Sequence, residues 1–191
     1  METYTKILEF WFGKPGTESY GKQRQEWFVK KDEFDREVRS RFLDTYHQAA
    51  AGELDEWKNN PESCLALIII FDQFSRNMFR GQPQAFATDE KALDLAKYAV
   101  SQNYDKELLP VQRWFIYLPF EHSENLADQE KCLELFSSLK SDPESASSID
   151  YAERHYQIIQ KFGRFPHRNS ILGRESTPEE IKFLQEPGSS F

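Results

Sequence analysis

The fold class the chain predicts is all-α, on three observations. Apolar residues recur at helical spacing, capping residues precede several of those runs, and no segment combines strict alternation with β-branched enrichment. A lone strand would therefore have no partner.

The elements follow in order. Ile7, Phe10 and Trp11 mark a first helix, and Phe34, Val38, Phe42 and Tyr46 mark a second. Asn60-Pro61 opens the third, which contains the most apolar run, Leu65 to Phe71. By composition that run fits a buried strand, but the window extends beyond Gln73, and its length favours a central, fully buried helix. Thr88-Asp89 precedes Leu93, Leu95, Ala96 and Val100. Trp114 to Phe120 contains Pro119, which has no N–H and leaves the Phe115 carbonyl without its usual helical partner. A helix over 124–139 carries Leu133, Phe136 and Leu139, with Ser123 as its N-cap and Glu124 complementing its dipole. Residues 141–148 read as a polar loop, and Tyr151 to Phe162 as a helix. Thr177-Pro178-Glu179-Glu180 is a capping box opening the last helix. About eight or nine helices result. No period of roughly 33 to 47 residues aligns them, so regular repeats are absent.

At 191 residues and 39% hydrophobic content the chain is a single domain over 1–191, with a core from about 5 to 185 and a loose tail over 186–191. Twenty-four Lys and Arg against 32 Asp and Glu give a net charge of −8, which disfavours nucleic acid and anionic membrane surfaces as partners. The longest apolar run is too short to span a bilayer, which needs about 20 residues. Cys64 and Cys132 form no CxxC pattern and read as two buried thiols in a reducing compartment. The opening Met1-Glu2-Thr3-Tyr4-Thr5-Lys6 shows no signal-peptide pattern, and a cytoplasmic protein is expected.

Two stretches resemble each other and carry the functional clue. Phe74-Ser75-Arg76-Asn77 leads to Arg80-Gly81, and Phe165-Pro166-His167-Arg168-Asn169 leads to Gly173-Arg174. Guanidinium and amide groups on turns fork onto a carboxylate or phosphate, so the expected ligand-binding residues are Arg76, Asn77, Arg80, Arg164, His167, Arg168 and Asn169. The structural alternative is that Arg76 and Arg80 satisfy the helix's last carbonyls, Arg76 pairs with Asp72, and the cations from Lys161 to Arg174 answer acidic faces of other helices.

A third polar constellation is Glu121-His122-Ser123-Glu124. His122 suits general acid–base chemistry near neutral pH, oriented by Glu121 or Glu124, and His122 with Glu124 are the candidate catalytic pair. Gly16-Thr17-Glu18-Ser19-Tyr20-Gly21-Lys22 matches the start of a phosphate-binding loop, but Gln23 replaces the required Ser or Thr and no β-α-β pattern follows. His122, Glu124, Asp128 and His155 are the residues a metal would recruit, yet no HExxH or clustered Cys/His pattern is present. His47 and His155 read as packing or surface residues. GxSxG and GxGxxG are absent, and neither a metal nor a cofactor is expected.

The segments Phe71 to Gly81, Tyr117 to Glu124 and Phe162 to Asn169, with the opening Leu8-Glu9-Phe10-Trp11-Phe12-Gly13, resemble the domain of unknown function 924 family from about residue 7 to Phe183. Ser75 stands where the family usually has proline. The resemblance implies a bacterial, compact helical domain similar to tetratricopeptide hairpins, and it implies no established reaction. Three readings stay open: a pocket for a small anionic metabolite or a carboxylate-bearing peptide end, a protein-interaction scaffold with a structural Arg/Glu network, and an enzyme using His122 and Glu124.

Overall fold

Aromatic side chains at helical spacing set the core before any polar group is placed. A computed structural model describes residues 3–190; Met1, Glu2 and Phe191, included in the expected domain, lie outside the described residues. In α1 (Tyr4–Phe12), Ile7, Trp11 and Phe12 are buried, and Gly13, at φ +85°, ends the helix by donating to the Glu9 carbonyl. Trp11 meets Trp27, Phe34, Phe74 and Phe115 with ring centroids 5.5–6.0 Å apart. One aromatic residue thus ties together four separate stretches of chain. In α2 (Asp32–Ala50), Phe34, Val38, Phe42, Tyr46 and Ala49 form the inward stripe, and three acidic residues in the first turn complement the helix dipole.

The centre of the molecule is a rod of three consecutive pieces: α3 (Pro61–Ile69), a π-helical turn (Ile70–Phe74) and α4 (Ser75–Met78). Asn60 caps it, its side-chain oxygen accepting from the Ser63 N–H at 3.0 Å, and every residue from 63 to 75 is buried. The expected buried helix therefore forms, but with a π turn inside it. Such a turn carries one extra residue and disturbs the regular carbonyl ladder. Here side chains serve the affected carbonyls: the hydroxyls of Ser75 and Thr88 each donate to the Phe71 carbonyl at 2.7 Å, and Arg76 Nη1 donates to the Asp72 carbonyl at 2.7 Å.

Helices α5 (Asp89–Ser101), α6 (Pro110–Glu121), α7 (Leu126–Ser137) and α8 (Ala146–Phe162) follow, each packed on the next, before the short α9 (Pro178–Phe183). Counting the rod as one, eight helices and no strand occur among the described residues. None of these helices is long and apolar enough to cross a membrane. Helix α6 runs through Pro119 to Glu121.

Two boundaries differ from expectation. The cap of α7 is Asn125, which accepts from the Ala127 N–H at 2.9 Å, because the Ser123 hydroxyl is engaged with Asp128 at 2.8 Å. Helix α8 begins inside the stretch read as a loop. Ser145 is fully buried and bonds both Trp114 Nε1 and Asp142, and this anchor draws a serine-rich segment into the helix. The Gly16–Lys22 segment follows α1 and consists of turns, so the strand a phosphate loop requires is missing. Cys64 and Cys132 are free and buried.

A second, small apolar cluster of Ile158, Ile159 and Phe165 sits under the segment 163–177. That segment is held to the body largely by polar contacts. Of the expected tail, residues 186–190 are described, and buried Ser189 donates to the Leu184 carbonyl at 3.2 Å.

Candidate functional site

The π turn places a carboxylate where the surrounding sequence is most apolar. Asp72 is 1% exposed. Its Oδ1 accepts from His122 Nδ1 at 2.7 Å and lies 3.2 Å from Arg76 Nη1, and its Oδ2 accepts from Gln73 Nε2 at 2.6 Å. Burial alone would raise its pKa, but the charge of Arg76, with the hydrogen bonds from His122 and Gln73, outweighs burial and holds the carboxyl well below the usual range. Asp72 is therefore ionised.

His122 follows the last residue of α6 and faces that carboxylate. With Asp72 ionised, the imidazole proton belongs on Nδ1, where it donates to Oδ1, and Nε2 keeps its lone pair. Nε2 makes no hydrogen bond among the described residues. Burial and Arg76 depress the pKa of the ring despite Asp72, so it is neutral near pH 7.

Glu121, one residue earlier, points elsewhere. It is 3% exposed, with Oε1 3.2 Å from His155 Nδ1 and Oε2 buried without a hydrogen-bond partner among the described residues. Burial, reinforced by the charge of Asp72, pushes its pKa to about 8, so it carries its proton at neutral pH. His155 Nδ1 lies 2.9 Å from the Tyr151 carbonyl oxygen, and burial followed by His122 keeps its pKa well below the ordinary value.

Arg168 is supplied by the 3₁₀ turn Pro166–Arg168. Its guanidinium carbon lies 4.5 Å from the Phe165 ring centroid and 4.9 Å from that of Phe86. It is 6% exposed, yet Nη1 comes no closer than 3.6 Å to Asp89, and the buried Nε has no hydrogen-bond partner among the described residues. Asp89 is engaged by Arg76, which forks onto it at 2.9 and 3.0 Å. Burial, then Arg76, lowers the Arg168 pKa to about 10. Next to it, His167 is lowered to about 4, again by burial and then by Arg168.

The other expected site residues disperse. Arg80 and Asn77 both bond Asp35 on α2, at 2.7–2.9 Å. Arg164 forks onto Glu180 at 2.7 and 2.8 Å, and Asn169 Nδ2 reaches the same carboxylate at 3.3 Å. Glu124 turns away from His122: it accepts the Arg174 fork at 2.6 and 2.9 Å and the Phe165 N–H at 2.8 Å. Thus Arg76, His122, His167 and Arg168 gather around one buried polar cluster, while the remaining candidates close ion pairs elsewhere. Asp72, Asp89, Phe86, Glu121 and His155 complete the cluster: Asp89 and Phe86 were not expected there, Asp72 was expected only as the structural partner of Arg76, Glu121 only as one possible orienter of His122, and His155 only as a packing or surface residue or one a metal would recruit. The available signal was Asp72, a lone charge inside a run expected to be fully buried, which has to be paired.

A groove of 720 Å³ between α1 and α2, lined by Glu9, Phe10, Arg24, Glu26, Phe34 and Glu37 among others, shares no residue with the cluster. The chemistry and the open groove are separate features.

The family model described as "Bacterial protein of unknown function (DUF924)" matches residues 7–188. The solved structure of a protein of unknown function, ATU0120, from Agrobacterium tumefaciens is similar at 38% identity and a TM-score of 0.85, covering 95% of this chain and 96% of that one. No curated protein matches.

Proposed function

The chain belongs to the DUF924 family of bacterial proteins, and from that premise we propose that it binds a small anion bearing a carboxylate or phosphate group at Arg168. One observation carries the reading: among the described residues, Arg168 is a buried guanidinium whose Nε lacks a hydrogen-bond partner and whose nearest carboxylate is at 3.6 Å and already forked by another arginine. A buried charge normally has close, hydrogen-bonded compensation, and one without it points to a ligand that supplies it. The guanidinium lies over the rings of Phe86 and Phe165, contacts that restrict the orientation of its fork. The neutral rings of His122 and His155 lie within the same cluster and add no competing charge.

A second reading belongs to the other arginines. Arg80 with Asp35, Arg164 with Glu180 and Arg174 with Glu124 are forked pairs, which supports a structural role for them rather than a wider anion site. Successive packing of α5 to α8 supports the likeness to tetratricopeptide hairpins and, with it, a surface for a protein partner.

Thermal melting of wild type and Arg168→Gln against carboxylates and phosphate monoesters tests the binding proposal. At a concentration of about 100 times Kd a ligand adds about 2.7 kcal/mol to native-state stability. For a chain of this size that is a rise of roughly 5–10 °C. Loss of the rise in a folded Arg168→Gln supports the site. No rise with either class, together with a mutant that melts earlier, makes Arg168 structural.

A further inference from the structure

Imidazoles line the proposed anion position, and one of them, His122, is bonded to the ionised carboxylate of Asp72. The His122 and His155 ring centroids are 6.3 Å apart, His155 and Phe165 5.4 Å, and Phe165 and His167 5.7 Å, with the Arg168 guanidinium over Phe165. His122 Nδ1 is bonded to ionised Asp72 at 2.7 Å, leaving the Nε2 lone pair as the basic site.

Resting on the anion-binding proposal above, we infer that the anion is bound together with one proton and that His122 Nε2 accepts it. Charge in a buried space requires it. Among the described residues, the charged and titratable groups around His122 are Asp72 and Arg76 from the rod, His155 from α8, and His167 and Arg168 from the 166–168 turn; Glu121, on the same helix as His122, is turned toward His155, and Asp89 stands behind the two arginines. Among the described residues, and without ligand, the carboxylates of Asp72 and Asp89 balance the guanidiniums of Arg76 and Arg168, while Glu121 and the three imidazoles are uncharged. An arriving monoanion leaves these groups one negative charge in excess, and in a poorly solvated site a proton restores the balance.

The choice of acceptor follows from what each group already holds. Glu121 carries its proton at neutral pH, so it has no vacancy for another. His167, at about 4, and His155, held well below its ordinary value, are harder to charge. His122 is depressed by burial and Arg76, and Asp72 is placed to stabilise the imidazolium once the anion offsets the arginines. The step is a transfer of one proton from solvent to Nε2, with no bond to carbon or phosphorus made or broken.

Titration calorimetry with sodium acetate and with sodium methyl sulfate near pH 7, in PIPES and in Tris, reads this directly. Both are monoanions that do not themselves titrate there. The expected result is heat that depends on buffer ionisation enthalpy with a slope of about one proton taken up per anion. His122→Gln keeps a hydrogen-bonding side chain toward Asp72 and is expected to bind with a slope near zero, whereas Glu121→Gln keeps the slope. An imidazole ¹⁵N spectrum of the wild type, which needs no variant to fold, is expected to show His122 passing from neutral to cationic on saturation. Affinity is expected to fall about tenfold per unit rise in pH around neutrality. Binding with zero slope, or a slope that survives in a folded His122→Gln, overturns the inference while leaving the anion site standing. No binding heat with either probe in either buffer, and no change in the imidazole spectrum, overturns both.

Discussion

Glu121 is the residue whose environment most reshapes its chemistry, and its effect on stability has a definite sign. Its folded-state pKa is about 8, whereas an unfolded carboxylate titrates near 4.5. Between those values the folded chain holds a proton that the unfolded chain has lost, so stability falls as pH rises through the window. His122, His155 and His167 act oppositely. Their folded pKa values are lowered, so their unfavourable effect is felt below an unfolded value near 6.5 and fades as pH rises toward it. From about pH 6.5 to 8 Glu121 is therefore the dominant contribution within the cluster. Denaturant unfolding is expected to show wild type losing on the order of 1 kcal/mol over that range and Glu121→Gln losing much less. An equally steep loss in the variant would locate the titration elsewhere. At this scale the sequence revealed the actors more readily than their partners. His122 and Arg168 stood out as polar groups near aromatic runs, but the partner of His122 is Asp72, 50 residues away. A forked pair such as Glu124 with Arg174 also spans 50 residues, a separation that local spacing does not encode.

At the scale of elements, capping chemistry was legible in part because it is local. Asn60 and the Thr177–Glu180 capping box both form as read, whereas Ser123 and Thr88 direct their hydroxyls to Asp128 and the Phe71 carbonyl instead of capping. The π turn was not legible, because a run of consecutive apolar residues has no polar face by which one extra residue would show as a phase shift. Its upkeep falls to two hydroxyls, Ser75 and Thr88, each 2.7 Å from the same Phe71 carbonyl. Ser75→Ala and Thr88→Val are each expected to destabilise by about 1 kcal/mol. The double variant is expected to lose more than the sum, by at least about 0.5 kcal/mol, because only then does the carbonyl lose both hydroxyl donors. Strict additivity in chemical denaturation would show that the two hydroxyls act independently. The Ser145 anchor explains why α8 begins early: bonds to Trp114 and Asp142 override the weak helix propensity of its serines.

Across the whole molecule, a large aromatic-rich core runs from Ile7 to Ala152, while the 163–177 segment rests on a cluster of three buried apolar residues and on ion pairs. That division predicts unequal opening. Arg174→Ala removes the fork onto Glu124 and the 3.1 Å bond to the Phe165 carbonyl. Amide exchange at Phe165 and through the following turn is expected to speed up by about tenfold or more, with exchange in the 63–75 rod nearly unchanged. Uniform acceleration through both regions would mean that the segment and the core open as one unit. The all-helical class was readable from periodicity, and so was the buried central helix. What brings the polar segments together, the rod's π turn facing the end of α6 and the 166–168 turn, arises only when the helices pack.

The measurement closest to the central claim is the arginine Nε–H spectrum of the protein titrated with succinate. Arg168 Nε–H has no hydrogen-bond acceptor among the described residues, whereas the Nε–H groups of Arg80 and Arg164 each donate to a carboxylate at 2.7 Å. If the cluster is an anion site, the Arg168 signal moves saturably and downfield as a carboxylate oxygen reaches it, while those two stay in place. A stationary Arg168 signal in the folded protein, with succinate and then with a phosphate monoester, would contradict the account.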